Sequence, residues 1–229
     1  MAQKQDPWQA TADMMTTLAL VFLFIAVSYM IDVSKEKNRM RDVAVTYNEL
    51  QNNLYQDLSA EFEENLSEWN AVIDRETLAL RFEEPDILFA IGSCEIKPAF
   101  RAILSDFFPR YIKILALDKY KNDIEEIRIE GHTSSEWANG ETGDMAYFKN
   151  MELSQNRTRQ VLEYVLSLYD GKSKKDTKTW IQKRLTANGL SSSKPILNQD
   201  GREDKSLSRR VEFRVRTNAE KRIANILEE

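Results

Sequence analysis

The chain has 229 residues, with Lys+Arg 32 against Asp+Glu 37 and a formal net charge of -5, a balance that gives no electrostatic reason to expect nucleic acid as a partner. One cysteine, Cys94, excludes an intrachain disulfide, and one histidine, His132, leaves no cluster for zinc or haem. There is no nucleophile–base pair, no phosphate-cradling glycine loop and no metal set, so neither an enzyme nor a cofactor is expected.

The first element is "ATADMMTTLALVFLFIAVSYM", Ala10 to Met30. Its apolar run proper, Leu18 to Ile31, would rise only about 21 Å as a helix against a hydrocarbon core of roughly 30 Å. Extending it back to Thr11 reaches the roughly 20 residues a crossing needs, and draws Asp13, Thr16 and Thr17 into the membrane. Residues 11–32 are therefore expected to span, with 1–10 as a short cytoplasmic lead. The flank holds only Lys4, and no small-x-small cleavage site follows, which favours a retained anchor over a signal peptide. Asp6 suits an N-cap, Pro7 the first helical position and Trp8 an interface, with Tyr29 about 31 Å further on at the opposite one. Lys35, Lys37, Arg39 and Arg41 follow the span, and the positive-inside rule by itself would place the rest of the chain in the cytoplasm.

Asp13 carries chemistry in its own right. A charged aspartate at the centre of a span costs roughly 2.5–3.5 kcal/mol on insertion scales, and such residues usually face a bundle interior or watery cavity on an ion pathway. Thr16 and Thr17, a turn further on, can bond the carboxyl or the backbone. The alternative is an aspartate resting at the lipid interface where the helix starts.

From Ser34 to about Leu80 there is no proline or glycine, and Val43, Tyr47, Leu50, Leu54, Leu58, Phe62, Leu66, Trp69 and Ile73 recur at gaps of three and four. That spacing is helical. It describes either one amphipathic helix packed on its own domain or a stalk pairing with a second copy. The length and the single narrow stripe favour pairing, through an irregular coiled coil. Residues 33–76 are thus expected to be a helical linker and dimer stalk.

Beyond Leu80 the texture shortens. "TLALRF" reads as a strand, and "KPAFRAILSDFFPRYIKILALDKY" as a helix opened by Pro98 and kinked or split at Pro109. "IEEIRIEG" reads as a strand through Ile124, Ile127 and Ile129, and "ELSQNRTRQVLEYVLSLYD" as an amphipathic helix with Val161, Leu162, Val165 and Leu168 on its apolar face. A helix around Asp176 to Thr186 and a strand "RRVEFRV" complete an α+β unit over 77–217, with 218–229 as a tail. His132 reads as a satisfied structural histidine at a strand end.

"IEGHTSSEW", "NMELSQNRTRQVLEYVL" and "LSRRVEFRV" resemble, in order and spacing, the OmpA/MotB-type peptidoglycan-binding domain. There a strand ending Gly-His-Thr-Asp precedes Asn-x-x-Leu-Ser-x-x-Arg and Arg-Arg-Val-Glu. The resemblance implies an OmpA-like domain, a mixed β-sheet with helices packed on one face. It also implies a peptidoglycan ligand whose diaminopimelate carboxylate and ammonium meet an Arg on the helix and an Asp on the loop. Arg157 holds the Arg position, Asn150 and Leu153 the supporting ones, and Thr133 the loop. A guanidinium suits a carboxylate through two parallel charge-assisted bonds. Ser134 stands where the family has Asp, and Glu136 is the residue that would restore the charge.

"TADMMTTLALVFLFI" likewise resembles the span of MotB-type stator subunits, in which an ion-carrying aspartate opens an apolar helix. That resemblance implies a second copy of the chain, a ring of multi-span MotA-like (ZorA-type) subunits, protons or sodium ions crossing at the aspartate, and a periplasmic C-terminal domain. The short lead, the proline-free linker and the "GHTSSEW" loop look most like the B subunit of the Zorya anti-phage defence system. A flagellar or gliding stator subunit, or a purely structural wall tether with no use for Asp13, are the alternatives.

Overall fold

The computed structural model describes residues 7–83, 85–90, 92–171 and 174–218. The expected lead and its Lys4 and Asp6, and most of the expected tail, lie outside the described residues. The chain divides into two compact units, Tyr47 ending the first and Asn48 opening the second.

Helix α1 runs Pro7–Leu66, as the absence of proline and glycine after Pro7 allows. Within the first unit its apolar side chains are exposed, Trp8 at 81 % and Phe24 at 73 %. One helix among the described residues is long and apolar enough to cross a membrane, and the apolar window has no protein packed on it.

In the second unit the stripe meets a different fate. Leu54, Leu58 and Phe62 are fully buried in the same core as the sheet, so this stretch packs on its own domain and not, as expected, on a second copy. Phe62 lies 5.3 Å from the ring of Phe107, and Arg110 locks the helix on by donating to the Glu61 carboxylate at 2.7 Å and the Glu61 carbonyl at 2.6 Å. A periodic stripe states that a face is covered, not by what.

The sheet has the order β1-β2-β5-β3-β4. Its strands are β1 (Ala71–Ile73), β2 (Ala79–Phe82), β3 (Ile124–His132), β4 (Leu185–Gly189) and β5 (Arg210–Thr217). Only β3 and β4 pair in parallel; the other neighbours are antiparallel. A bulge between Ile124 and Glu126 explains why Ile124, Ile127 and Ile129 are all buried although strict alternation would not bury all three. Helix α2 covers Pro85–Leu88, α3 Pro98–Leu115, α4 Asp144–Ser167, α5 Lys175–Gln182 and α6 Lys205–Ser208. Pro109 lies inside an unbroken α3 and does not split it. Phe107 and Phe108 before it and Tyr111 and Ile112 after it are all buried, so tertiary packing holds both halves in one helix.

The expected helix to Thr186 stops at Gln182, and 185–189 form β4 instead. Its register is Ile127 beside Leu185 through Gly131 beside Gly189. A Cβ on Gly189 would fall on the Gln155 backbone, 2.6 Å from its Cα, so glycine is what lets β4 lie against α4. Ile127, Ile129, Leu80, Phe82 and Phe213 form the buried apolar side of the sheet. The alternate positions Arg81, Glu212, Arg210, Glu130 and His132 make an ionic ladder on the other.

Candidate functional site

Beyond β3 the chain leaves the sheet as a loop, Thr133 to Gly143, before α4 begins. Five contacts fix that loop. The Thr133 N–H donates to the Ser191 carbonyl at 2.9 Å, and the Ser135 N–H donates to Glu203 at 3.0 Å. The buried Asn150 amide donates to the carbonyls of Ser134 and Glu136, each at 3.1 Å. Lys205 pairs with the Glu136 carboxylate. Asn150 is thus a loop-positioning residue: its donors serve backbone groups that would otherwise be unsatisfied.

Seven residues along α4 from Asn150, two turns on the same face, stands Arg157. Its Nε donates to the Ser93 carbonyl at 2.8 Å and its Nη2 to the Ala90 carbonyl at 3.2 Å, and the guanidinium lies over the Phe89 ring at 4.8 Å. Burial lowers its pKa to about 10, with Cys94 acting to raise it and Arg209 to lower it further; it remains a cation at neutral pH. The Nε/Nη2 edge is committed to carbonyls, so the edge carrying Nη1 is the one left to meet a carboxylate.

Thr133, Ser134, Glu136, Asn150, Leu153 and Arg157, drawn from a loop and a helix, line one cleft of about 390 Å³. The same cleft holds residues that sequence reasoning missed. Arg209 sits in "RRVEFRV", which was read as a strand and as part of the family motif but given no role in the site, and Trp137 follows Glu136 in the loop. Phe89 comes from a stretch with no local signal. The cleft offers two guanidinium groups, neutral hydroxyls and an aromatic wall, a receptor for a carboxylate on an extended polar chain.

Asp13, Thr16 and Thr17 lie on the exposed part of α1. Both threonines turn their hydroxyls to the helix's own carbonyls, Thr16 to Ala12 and Thr17 to Asp13, each at 2.8 Å. Of the two partners they were expected to choose between, they take the backbone.

His132 departs from expectation. It is buried, but neither ring nitrogen has a hydrogen-bond partner among the described residues, and the Glu130 carboxylate stands 3.9 Å away. Glu130, His132 and Glu212 converge, yet Glu212 accepts from Arg210 at 2.6 Å and from Arg81 at 3.0 Å. Two guanidinium groups on one carboxylate make this a poor place for a metal cation. Burial, with Arg210 next in weight, pushes the His132 pKa down to about 3. Because the unfolded histidine takes up its proton near 6.5 and the folded one does not, stability is complete above pH 6.5 and is lost as pH falls toward 3. Burial alone would raise Glu212, and the hydrogen bond and charge of Arg210 together with His132 and Arg81 outweigh it, leaving its pKa lowered from 4.5; its contribution is lost only at more acid pH. The window from 6.5 to 4.5 therefore belongs to His132, with a loss of up to about 3 kcal/mol. Thermal unfolding at pH 7 and 5 should show that loss in the native chain and not in His132→Phe; an equal loss in both would refute it.

Residues 88–209 match the model of the OmpA family. The Zorya protein ZorB of Escherichia coli is 47 % identical over 227 residues, covering 99 % of this chain and 94 % of that protein. Among solved structures, a MotB-like protein from Desulfovibrio vulgaris is 24 % identical, covers 77 % of this chain and 94 % of its own, and gives a TM-score of 0.49. The periplasmic domain of Helicobacter pylori MotB is 20 % identical over 66 % of this chain and 83 % of its own, with a TM-score of 0.42.

Proposed function

The chain belongs to the OmpA family and to the ZorB proteins within it, and from that premise we propose that it is the stator-like, wall-anchored subunit of a Zorya-type anti-phage motor. The observation that carries the reading is that the likeness to ZorB runs nearly end to end, through the Asp13 helix as well as the cleft. A wall tether needs Arg157; it has no use for a carboxylate in an apolar span, where the cost of burial calls for a function.

In this reading α1 anchors the chain as a single pass in the inner membrane and Asp13 is the ion-carrying group. Thr16 and Thr17, bonded to the backbone, line its turn with methyl groups and hydroxyl lone pairs. Two copies sit within a ring of multi-span MotA-like subunits, and the second unit faces the periplasm and grips peptidoglycan. Partner subunits override the positive charges that follow the span. The carboxylate takes an ion from one side and gives it up to the other, and the grip on the wall turns the resulting motion into torque on the ring.

Asp13→Asn keeps size and hydrogen bonding and abolishes titration. Cells carrying the native chain with its natural partners should resist plaque formation by a panel of phages, and cells with Asp13→Asn at matched protein level should plaque like unprotected cells. Full protection by the variant would leave only a tether.

A further inference from the structure

The cleft is lopsided in charge. Arg157 lines it with Nε and Nη2 committed to carbonyls and Nη1 uncommitted, and Arg209 lines it with no hydrogen-bond partner among the described residues. The one carboxylate among the residues that line the cleft, Glu136, is engaged, and so are three others around the loop. Glu136 is held by Lys205, Glu203 by Ser135, Glu141 by Lys149 at 2.6 Å, and Asp204 caps α6 by accepting from the N–H groups of Ser206 and Leu207. Apart from the Glu136–Lys205 pair, what lines the cleft from the loop is neutral. Thr133 and Ser134 are 4 % and 5 % exposed, and the Thr133 hydroxyl is buried without a hydrogen-bond partner.

A group bearing a carboxylate and an adjacent ammonium would bring its positive charge to a wall whose one carboxylate is already paired with Lys205 and that otherwise offers hydroxyls, with two guanidinium groups nearby. Desolvating an ammonium without a counter-charge is costly. A carboxylate whose neighbouring nitrogen is acylated brings an amide N–H instead, which a serine or threonine oxygen satisfies completely. Resting on the wall-binding reading above, we infer that this cleft selects carboxylates flanked by an acylated nitrogen and rejects those flanked by a free ammonium. In peptidoglycan three groups have that chemistry: the diaminopimelate carboxylate of a stem whose side-chain amine has been consumed in a cross-link, the terminal D-alanine carboxylate, and the α-carboxylate of the γ-linked D-glutamate. Uncross-linked diaminopimelate keeps its ammonium and is the group refused.

The test titrates the purified full chain in detergent with three probes, meso-diaminopimelate, its diacetylated form and N-acetyl-D-alanine, and pellets it separately with insoluble wall sacculi. The diacetylated form is expected to bind at least tenfold more tightly than free diaminopimelate. Equal binding by N-acetyl-D-alanine shows that an acylated nitrogen beside a carboxylate suffices, and its failure to bind shows that the cleft also reads the longer diaminopimelate chain. Ser134→Asp, and independently Lys205→Gln, which releases the Glu136 carboxylate and leaves the Thr133, Ser135 and Asn150 contacts of the loop in place, should each raise affinity for the free amine at least fivefold. Free diaminopimelate binding as tightly as the diacetylated form, with sacculi still pelleting the chain, overturns the selectivity and leaves the wall anchor standing. Failure to pellet with sacculi overturns both.

Discussion

Gly189→Ala is expected to lower the thermal midpoint of the second unit by roughly 6–12 °C, and Gly189→Val to leave no cooperative transition. The added Cβ has nowhere to go: it meets the main chain of Gln155, its Cα at 2.6 Å, and neither β4 nor α4 can retreat without opening the parallel pairing to β3. Overpacking costs about 1–3 kcal/mol where side chains can shift. Against backbone the upper end applies, and about 3 kcal/mol in a domain of this size gives the stated shift. Gly131 supplies the control. A Cβ there meets Thr158 Cγ2 at 2.6 Å, with Ser154 O at 3.1 Å, so the main obstacle is one methyl group. Gly131→Ala should be substantially rescued by Thr158→Ser, and Gly189→Ala by no side-chain change. Thermal unfolding followed by circular dichroism decides it; a Gly189→Ala midpoint within 2 °C of the native one would show that β4 stands off from α4.

The second large effect is expected at Arg157. Truncating a charged group that meets its partner away from water costs roughly 2–5 kcal/mol, so Arg157→Ala should weaken co-pelleting with sacculi about 100-fold. Arg157→Lys keeps a charge but cannot hold the Ser93 and Ala90 carbonyls while presenting a second edge, and should recover only a small part of the binding. Because those carbonyls also lose a donor, the midpoint of unfolding must be read alongside; a loss of binding with a preserved midpoint assigns the residue to the ligand. Loss of phage protection in the same variant would place the domain on the wall side of the membrane. Undiminished pelleting by Arg157→Ala would remove the residue from the site.

How legible all this was follows from how local it is. Asn150, Leu153 and Arg157, with Thr133, Ser134 and Glu136, could be read together because they fall in the short contiguous motifs that carry the family resemblance, one on a single helix and one after a strand end. Arg209 and Phe89 reach the same cleft from positions more than 50 residues away from Arg157 along the chain, and no local pattern announces them. Strand β4 was invisible for the same reason. Of Leu185 to Gly189 only Leu185 is buried, so neither alternation nor an apolar run marks the segment, and its conformation comes from pairing with β3 and lying against α4. The stripe through Leu54, Leu58 and Phe62 was legible as a helix face but ambiguous in its partner. His132 was placed correctly at the strand end, and its unsatisfied nitrogens depend on the distant Arg210 and Glu212, which a local reading cannot see.

The strand order has a bearing on biogenesis. Strand β5, the latest of the five in sequence, lies between β2 and β3. A nascent chain that has not yet exposed residues 210–217 owns only a hairpin, β1–β2, and a separate parallel pair, β3–β4, and two-stranded fragments are marginal at best in water. The sheet cannot close piecemeal behind the ribosome; until β5 emerges, its two halves have no strand to join them. Premature stop codons ahead of β5 should therefore behave alike, as complete nulls, wherever in the second unit they fall.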